Sequence, residues 1–143
     1  MIRFQLIKWF SKFHKYVLVQ TKGRVMHNLL GHQMLLLENI GRKTSKRHLT
    51  PLLYIKSDSH NFLTVGSFGG HPKHPAWFLN IKNTNKTYVF IKGNRIPVHI
   101  SILSGISKEE AWNKLILEYP GFSNYQKRTS RSIPVIKFTI LNN

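Results

Sequence analysis

The sequence predicts a mainly β protein with a few helices, an antiparallel barrel of the α+β class. Three observations predict it: six apolar runs of strand length, short polar or glycine-containing turns between several of them, and no regular strand–helix alternation of the kind a doubly wound sheet needs. A chain of 143 residues with 41% hydrophobic content suits one core. We divide it into a basic amphipathic helix with its linker, residues 1–32, and a barrel domain, residues 33–143.

Residues 2 to 17 place Ile2, Leu6, Trp9, Phe13 and Tyr16 at helical spacing, with Arg3, Lys8, Lys12 and Lys15 on the remaining surface. Such a helix packs its aromatic face over one end of the barrel or lies on an anionic membrane. The cations interrupt any signal-peptide core or spanning segment. The expectation is a cytoplasmic protein, with peripheral attachment to the inner face of the membrane as the second option. Residues 20 to 31 read as a loop or short helix, and Gln33 to Asn39 as a strand broken by Gly41. Thr50 to Ser57 and Asn61 to Phe68, parted by Asp58-Ser59-His60, read as a hairpin, with Pro51 near its strand's start. Pro75 precedes a helix from Ala76 to Lys82 that puts Trp77 and Asn80 on one face. Lys86 to Lys92 and Arg95 to Leu103 form a second hairpin turning at Gly93-Asn94, and Pro97 suggests an edge or a bulge. Ser107 to Glu110 match a capping box for a helix that buries Ala111, Trp112, Leu115, Ile116 and Tyr119 and stops at Pro120-Gly121. The last strand runs from Ile133 to about Ile140.

Composition narrows the chemistry. Zero Cys removes disulfides, thiolate metal sites and thiol nucleophiles, and five acidic residues argue against a paired-carboxylate hydrolase or a carboxylate metal centre. His71 and His74 flank prolines without further ligands, so no metal is expected. A formal charge of +17 favours anionic partners. Specific nucleic-acid binding is not expected, because the basic residues are scattered and no helix-turn-helix or aromatic RNA-binding signature is present.

The densest polar cluster is Gly41-Arg42-Lys43-Thr44-Ser45-Lys46-Arg47, with four cations and two hydroxyls at a strand's end. Arg holds phosphate bidentately, Lys as a point charge, and turn amides add donors; the bland reading is a solvated basic loop. Ser67 stands just before Gly69-Gly70, where a hydroxyl can reach a ring that the glycines let approach.

The blocks Gly41 to Lys46, Thr50-Pro51-Leu52, Ser67 to Gly70, His74-Pro75-Ala76-Trp77, Asn80, Tyr119 to Phe122, Tyr125-Gln126, Arg131 and Ile133-Pro134 occur in order over most of the chain. In these blocks the chain resembles the deazaflavin-dependent nitroreductase family, within the split β-barrel, FMN-binding-like superfamily. The resemblance implies a split β-barrel that binds coenzyme F420 and passes its hydride to a small electron-poor acceptor such as a quinone, enone or nitroaromatic. It implies that Arg42, Lys43 and Thr44 grip the phosphate and acidic tail; Lys46 and His48 are placed with them at the cofactor, and Lys46, Arg47 or Lys73 would make up for family cations that are missing here. It places Pro51, Ser67, Gly70, Trp77 and Asn80 at the deazaflavin or its ribityl arm, and Tyr119, Phe122 and Tyr125 at the acceptor pocket. Ser67, Tyr119 or Tyr125 would stabilise the developing oxyanion, and solvent would equally serve as the source of the proton. Trp77 and Tyr119 equally suit core packing.

Phe68 stands where the family usually has Lys, Ser45 replaces a usual Gly, His48 a common Arg, and Phe122 a frequent Tyr. These departures keep open FMN as a substitute cofactor, and a non-enzymatic split-barrel protein binding FMN, haem or a lipid at the membrane. Homodimer formation also stays open.

Overall fold

The structure, a computed structural model, describes residues 12, 15–17, 19–22, 28–29 and 32–142. The helix expected over residues 2 to 17 lies mostly outside them; Lys12, residues 15–17 and residues 19–20 are helical. Eight strands and three α-helices follow: β1 (Asn28–Leu29), β2 (His32–Ile40), β3 (Arg47–Leu53), β4 (Ile55–Lys56), β5 (Asn61–Val65), α1 (Ala76–Ile81), β6 (Lys86–Ile91), β7 (Asn94–Ile102), α2 (Gly105–Glu118), α3 (Gly121–Lys127) and β8 (Val135–Ile140). The strands form one antiparallel sheet in the order β1-β2-β6-β7-β8-β5-β4, with β3 on β2 beside that path. Six strands have five or more residues, as the apolar runs predict.

The curled sheet wraps one core. Leu35 and Leu37 of β2, Val98 and Ile100 of β7 and Phe138 of β8 pack with Trp77, Phe78 and Ile81 of α1. A second cluster joins Leu63 and Val65 of β5 to Ala111 and Leu115 of α2 and to Phe122 of α3. β2 is buried on both faces, because Leu36 packs with Phe90 and Val19. This explains its unbroken apolar run, which a half-solvated strand would replace by alternation.

Several local expectations change. The run from Thr50 does not form one hairpin with Asn61 to Phe68: β3 pairs along its length with β2, and just Ile55–Lys56 returns to β5. Tyr54 interrupts the strand, its amide bonded to Gln33 O at 3.2 Å. The β6–β7 turn is Lys92-Gly93, with φ of 50 and 86, one residue earlier than expected. Two successive positive φ values match a type I′ turn, and Gly takes its second central place. Pro97 lies in an inner strand opposite Tyr88 of β6, and its β8-facing side falls just past the end of the β8 ladder at Val98↔Ile140, where its carbonyl accepts from Leu141 N at 2.9 Å. Helix α2 starts at Gly105 with extended Ser104 before it, so Ser107 and Glu110 lie inside the helix and form no capping box. Pro120 is followed by α3, which the sequence reading did not anticipate.

Glu38, 7% exposed, is held by Arg47 and by Arg95 at 2.9 Å, on the outer face of β2. Burial pushes its carboxyl pKa up, but the hydrogen bonds and charges of the two guanidinium groups outweigh this and hold it below the ordinary value. A depressed native pKa stabilises the fold above the unfolded carboxylate range, and the contribution is lost as pH falls through the native value. Thermal unfolding followed from pH 6 to pH 3 is therefore expected to show a smaller acid loss in Glu38→Gln than in wild type. At neutral pH that variant should be less stable by about 1–3 kcal/mol.

Candidate functional site

A cavity of about 710 Å³ opens at the split of the barrel, where β3 and β5 face each other. Leu49 to Leu53 of β3 and Thr64 and Val65 of β5 line two sides, and α1 and α3 contribute Trp77, Phe122 and Tyr125. No ladder joins β3 to β5 among the described residues. The walls are mainly apolar, with Thr50, Asn39, His48 and Ser67 as polar points.

Of the residues singled out in the sequence, His48, Pro51, Ser67, Trp77 and Tyr125 come together in this lining. Ser67 makes no capping hydrogen bond to the turn that follows it, so its hydroxyl is not used there. Trp77 is 8% exposed and serves both as cavity wall and as core, meeting Phe78 edge-on at 6.2 Å. Arg42, Lys43, Thr44 and Lys46 are exposed on the β2–β3 turn beyond the lining. Its frame is defined: Gly41 N donates to Lys46 O at 2.8 Å, Ser45 N donates to Gly41 O at 2.8 Å, and Lys46 N donates to Thr44 Oγ1 at 3.3 Å. A Cβ on Gly41 would collide with Thr44 Oγ1 and come within 3.2 Å of His48 Nε2, so the turn needs glycine there and His48 stands directly beside it. Ser45 has φ 59, in the left-handed region that glycine adopts more readily. Of the four cations, Arg47 is paired with Glu38, which leaves Arg42, Lys43 and Lys46 without a carboxylate partner among the described residues.

Asn80 does not line the cavity; it fastens the turn. Its Oδ1 accepts from Arg42 N at 3.0 Å and its Nδ2 donates to Asn39 Oδ1 at 2.8 Å. Asn39 in turn donates to Thr50 Oγ1 at 3.1 Å and to Leu37 O at 3.2 Å. A chain of amides thus links α1, the cationic turn and the cavity wall. Asn39, 3% exposed, escaped the sequence reading, although an amide closing the run Met34 to Glu38 marks a buried polar group in need of partners. Asn80→Ala leaves Asn39 Oδ1 without its donor, so a loss of about 1–3 kcal/mol in thermal or denaturant unfolding is expected.

Gly70 lies behind the wall, with φ 80; a Cβ there would sit 2.7 Å from Tyr125 O and 2.9 Å from Arg128 Cβ, so its absence lets the turn close against α3. Tyr119 is not brought to the cavity. It belongs to the second core cluster, donates to Tyr54 O at 3.3 Å and packs edge-on against His32 at 4.5 Å. Burial pushes its phenol pKa up. The helical spacing that put Tyr119 with Ala111 and Leu115 pointed to this packing place. Lys15, by contrast, lines the cavity.

The sequence model of the F420H(2)-dependent quinone reductase family matches residues 9–139. The chain belongs to this family. An F420H(2)-dependent quinone reductase of Mycobacterium tuberculosis is 32% identical over 133 residues, 90% of this chain and 88% of that protein. A solved F420-H2 dependent reductase, FDR-A, superposes with a TM-score of 0.65 at 30% identity, over 73% of this chain and 92% of that one. A solved chain described as a domain-swapped dimer has a TM-score of 0.68 at 27% identity, over 92% of this chain and 98% of its own. The curled antiparallel sheet is therefore the split β-barrel of the F420H(2)-dependent quinone reductase family, with its cavity at the split. No helix among the described residues is long and apolar enough to cross a membrane.

Proposed function

We propose that this protein transfers a hydride from reduced coenzyme F420 to a quinone, with the deazaflavin in the cavity at the split and its phosphate on the turn from Gly41 to Arg47. The observation that carries this reading is the junction of an apolar cavity of about 710 Å³ with a turn bearing three cations that have no carboxylate partner among the described residues, His48 standing at their border. The donor set fits the group: an apolar slot suits a flat ring, and the exposed cations suit its anionic arm.

The reduced deazaflavin supplies the hydride, and a proton completes the hydroquinone. The chain supplies alignment, exclusion of water and donors. Met34, Leu52, Trp77 and Phe122 form walls that keep water from the reacting carbons. Ser67 and Tyr125 bring two hydroxyls to the same cavity, where they would donate to the acceptor oxygen that becomes anionic. Phe122, lacking a hydroxyl, contributes surface alone. Phe68, 56% exposed, brings a ring where the resembling family has an ammonium, so phosphate binding rests on Arg42, Lys43 and Lys46.

Titration of the purified protein with coenzyme F420, read by fluorescence, should give micromolar binding, and a simple quinone should oxidise the reduced coenzyme in its presence. Absence of both overturns the reading, and retention of FMN, haem or lipid after native purification favours a carrier instead. The dimeric relative suggests a homodimer here too, which sedimentation checks. The basic segment before the barrel suggests peripheral contact with anionic lipid, which vesicle flotation checks.

A further inference from the structure

The segment from Gly66 to His71 forms part of the cavity wall and has an improbable backbone. Phe68, Gly69 and Gly70 have φ of 45, 62 and 80 in succession. For Phe68 that region is uncommon and costs energy, so the segment depends on contacts from outside. Gly66 N donates to Pro134 O at 3.0 Å, and the side-chain contacts come from Arg131, between α3 and β8. Its Nη1 donates to Gly66 O at 3.1 Å, its Nη2 to Ser67 O at 2.8 Å and its Nε to His71 O at 2.8 Å. Nη1 also meets His74 Nδ1 at 3.2 Å. A guanidinium is donor on every nitrogen and does not lose its proton, so His74 Nδ1 accepts and the neutral ring carries its proton on Nε2.

We infer that Arg131 is a positioning residue for the cavity, that its grip on the Gly66–His71 segment requires neutral His74, and that protonation of His74 loosens this segment and displaces Ser67 from the wall. An imidazolium Nδ1 is a donor, so the contact with Nη1 would become repulsive. The groups around the ring offer no compensation. Arg131 faces it from the segment before β8, Lys82 acts on it from the end of α1, and Phe78 of α1 lies at 4.9 Å between centroids. Its own segment adds His71, whose Nδ1 accepts from Lys73 N at 3.0 Å. Among the described residues the ion pairs are those of Glu38, so no carboxylate pairs with His74 or Arg131. Burial first, then Arg131 and Lys82, hold the His74 pKa below the ordinary histidine value. A depressed histidine favours the closed segment above the unfolded histidine range, and the advantage is lost as pH falls through that range toward the native value.

The consequence for turnover rests on the hydride-transfer reading; the segment's behaviour does not. Hydrogen exchange of the Gly70 and His71 amides, which donate to Ser67 O and Phe68 O, reads the segment directly in the cofactor-free protein. After correction for intrinsic exchange, wild type should lose about tenfold protection at these two amides between pH 7 and pH 5, with core amides unchanged. His74→Gln, whose amide oxygen accepts without titrating, should show no such step, and Arg131→Lys should be unprotected at both pH values because one ammonium cannot serve three diverging carbonyls. In parallel, coenzyme F420 affinity should weaken with acid in wild type and less so in His74→Gln. Wild-type protection that stays flat from pH 7 to pH 5 overturns the inference without any variant, and so does an equal step in His74→Gln. A failure of F420 binding with the exchange step intact overturns the cofactor reading alone.

Discussion

Replacing Arg42 and Lys43 together by Ala is expected to raise the KM for reduced coenzyme F420 about 30-fold while kcat stays within about twofold, since two partly screened charge-assisted contacts contribute about 1 kcal/mol each. The turn they occupy lies beyond the residues lining the cavity, so their charge acts on a remote part of the ligand. It binds ground state and transition state alike, and loss of uniform binding raises KM without lowering kcat. Both side chains are exposed and lack carboxylate partners among the described residues, so neither removal leaves a buried charge and the melting temperature should hold. Steady-state kinetics across a salt series provides the check. The wild-type KM should rise with ionic strength, and that of the double variant, which keeps Lys46, should rise less steeply. An unchanged KM would place the phosphate elsewhere.

Trp77→Ala should be the most damaging single change in the cavity. The side chain is 8% exposed, sits in the main core with Leu37 and Phe138, and forms cavity wall on its other side. Truncation of a buried aromatic costs about 3–5 kcal/mol, a large part of a stability of about 5–15 kcal/mol. Because that loss alone would lower activity, Trp77→Phe is the companion. It keeps an aromatic wall, should cost no more than about 2 kcal/mol, and should retain measurable F420 binding. Denaturant unfolding read beside the dissociation constants separates the two effects: equal loss of binding in both variants at full folding would assign the indole a specific contact, and no loss in either would remove it from the ring site.

Much of the site was legible in the sequence because its signals are local. Gly41 and the cations after it mark an exposed cationic turn through residue types set within seven positions, and the turn forms largely from those residues' own hydrogen bonds. Ser67 was legible because a hydroxyl before glycines is a local pattern, and it does line the cavity. Asn80 and Arg131 were quoted with the motif blocks, but their tasks were not readable: one reaches Asn39 and Arg42 across about 40 positions, the other Gly66 and Ser67 across about 65. Tyr119 shows the converse. The family resemblance put it at the acceptor pocket, whereas its helical spacing suited the core, and the structure shows the core contacts.

By itself the sequence determined the β-rich class, the six long strands and the cationic turn, since apolar periodicity, turn residues and charge act over a few neighbouring positions, while the motif blocks taken in order carried the resemblance to the family that the chain belongs to. Strand pairing was decided by tertiary structure. β3 turns from the expected hairpin to lie along β2, the barrel stays open beside β5, and the cavity exists because of that opening. Which strands close and which stay apart depends on packing of both faces of the sheet against α1 and α2, and on buried polar groups finding partners dozens of residues away, and neither has a signature in local spacing.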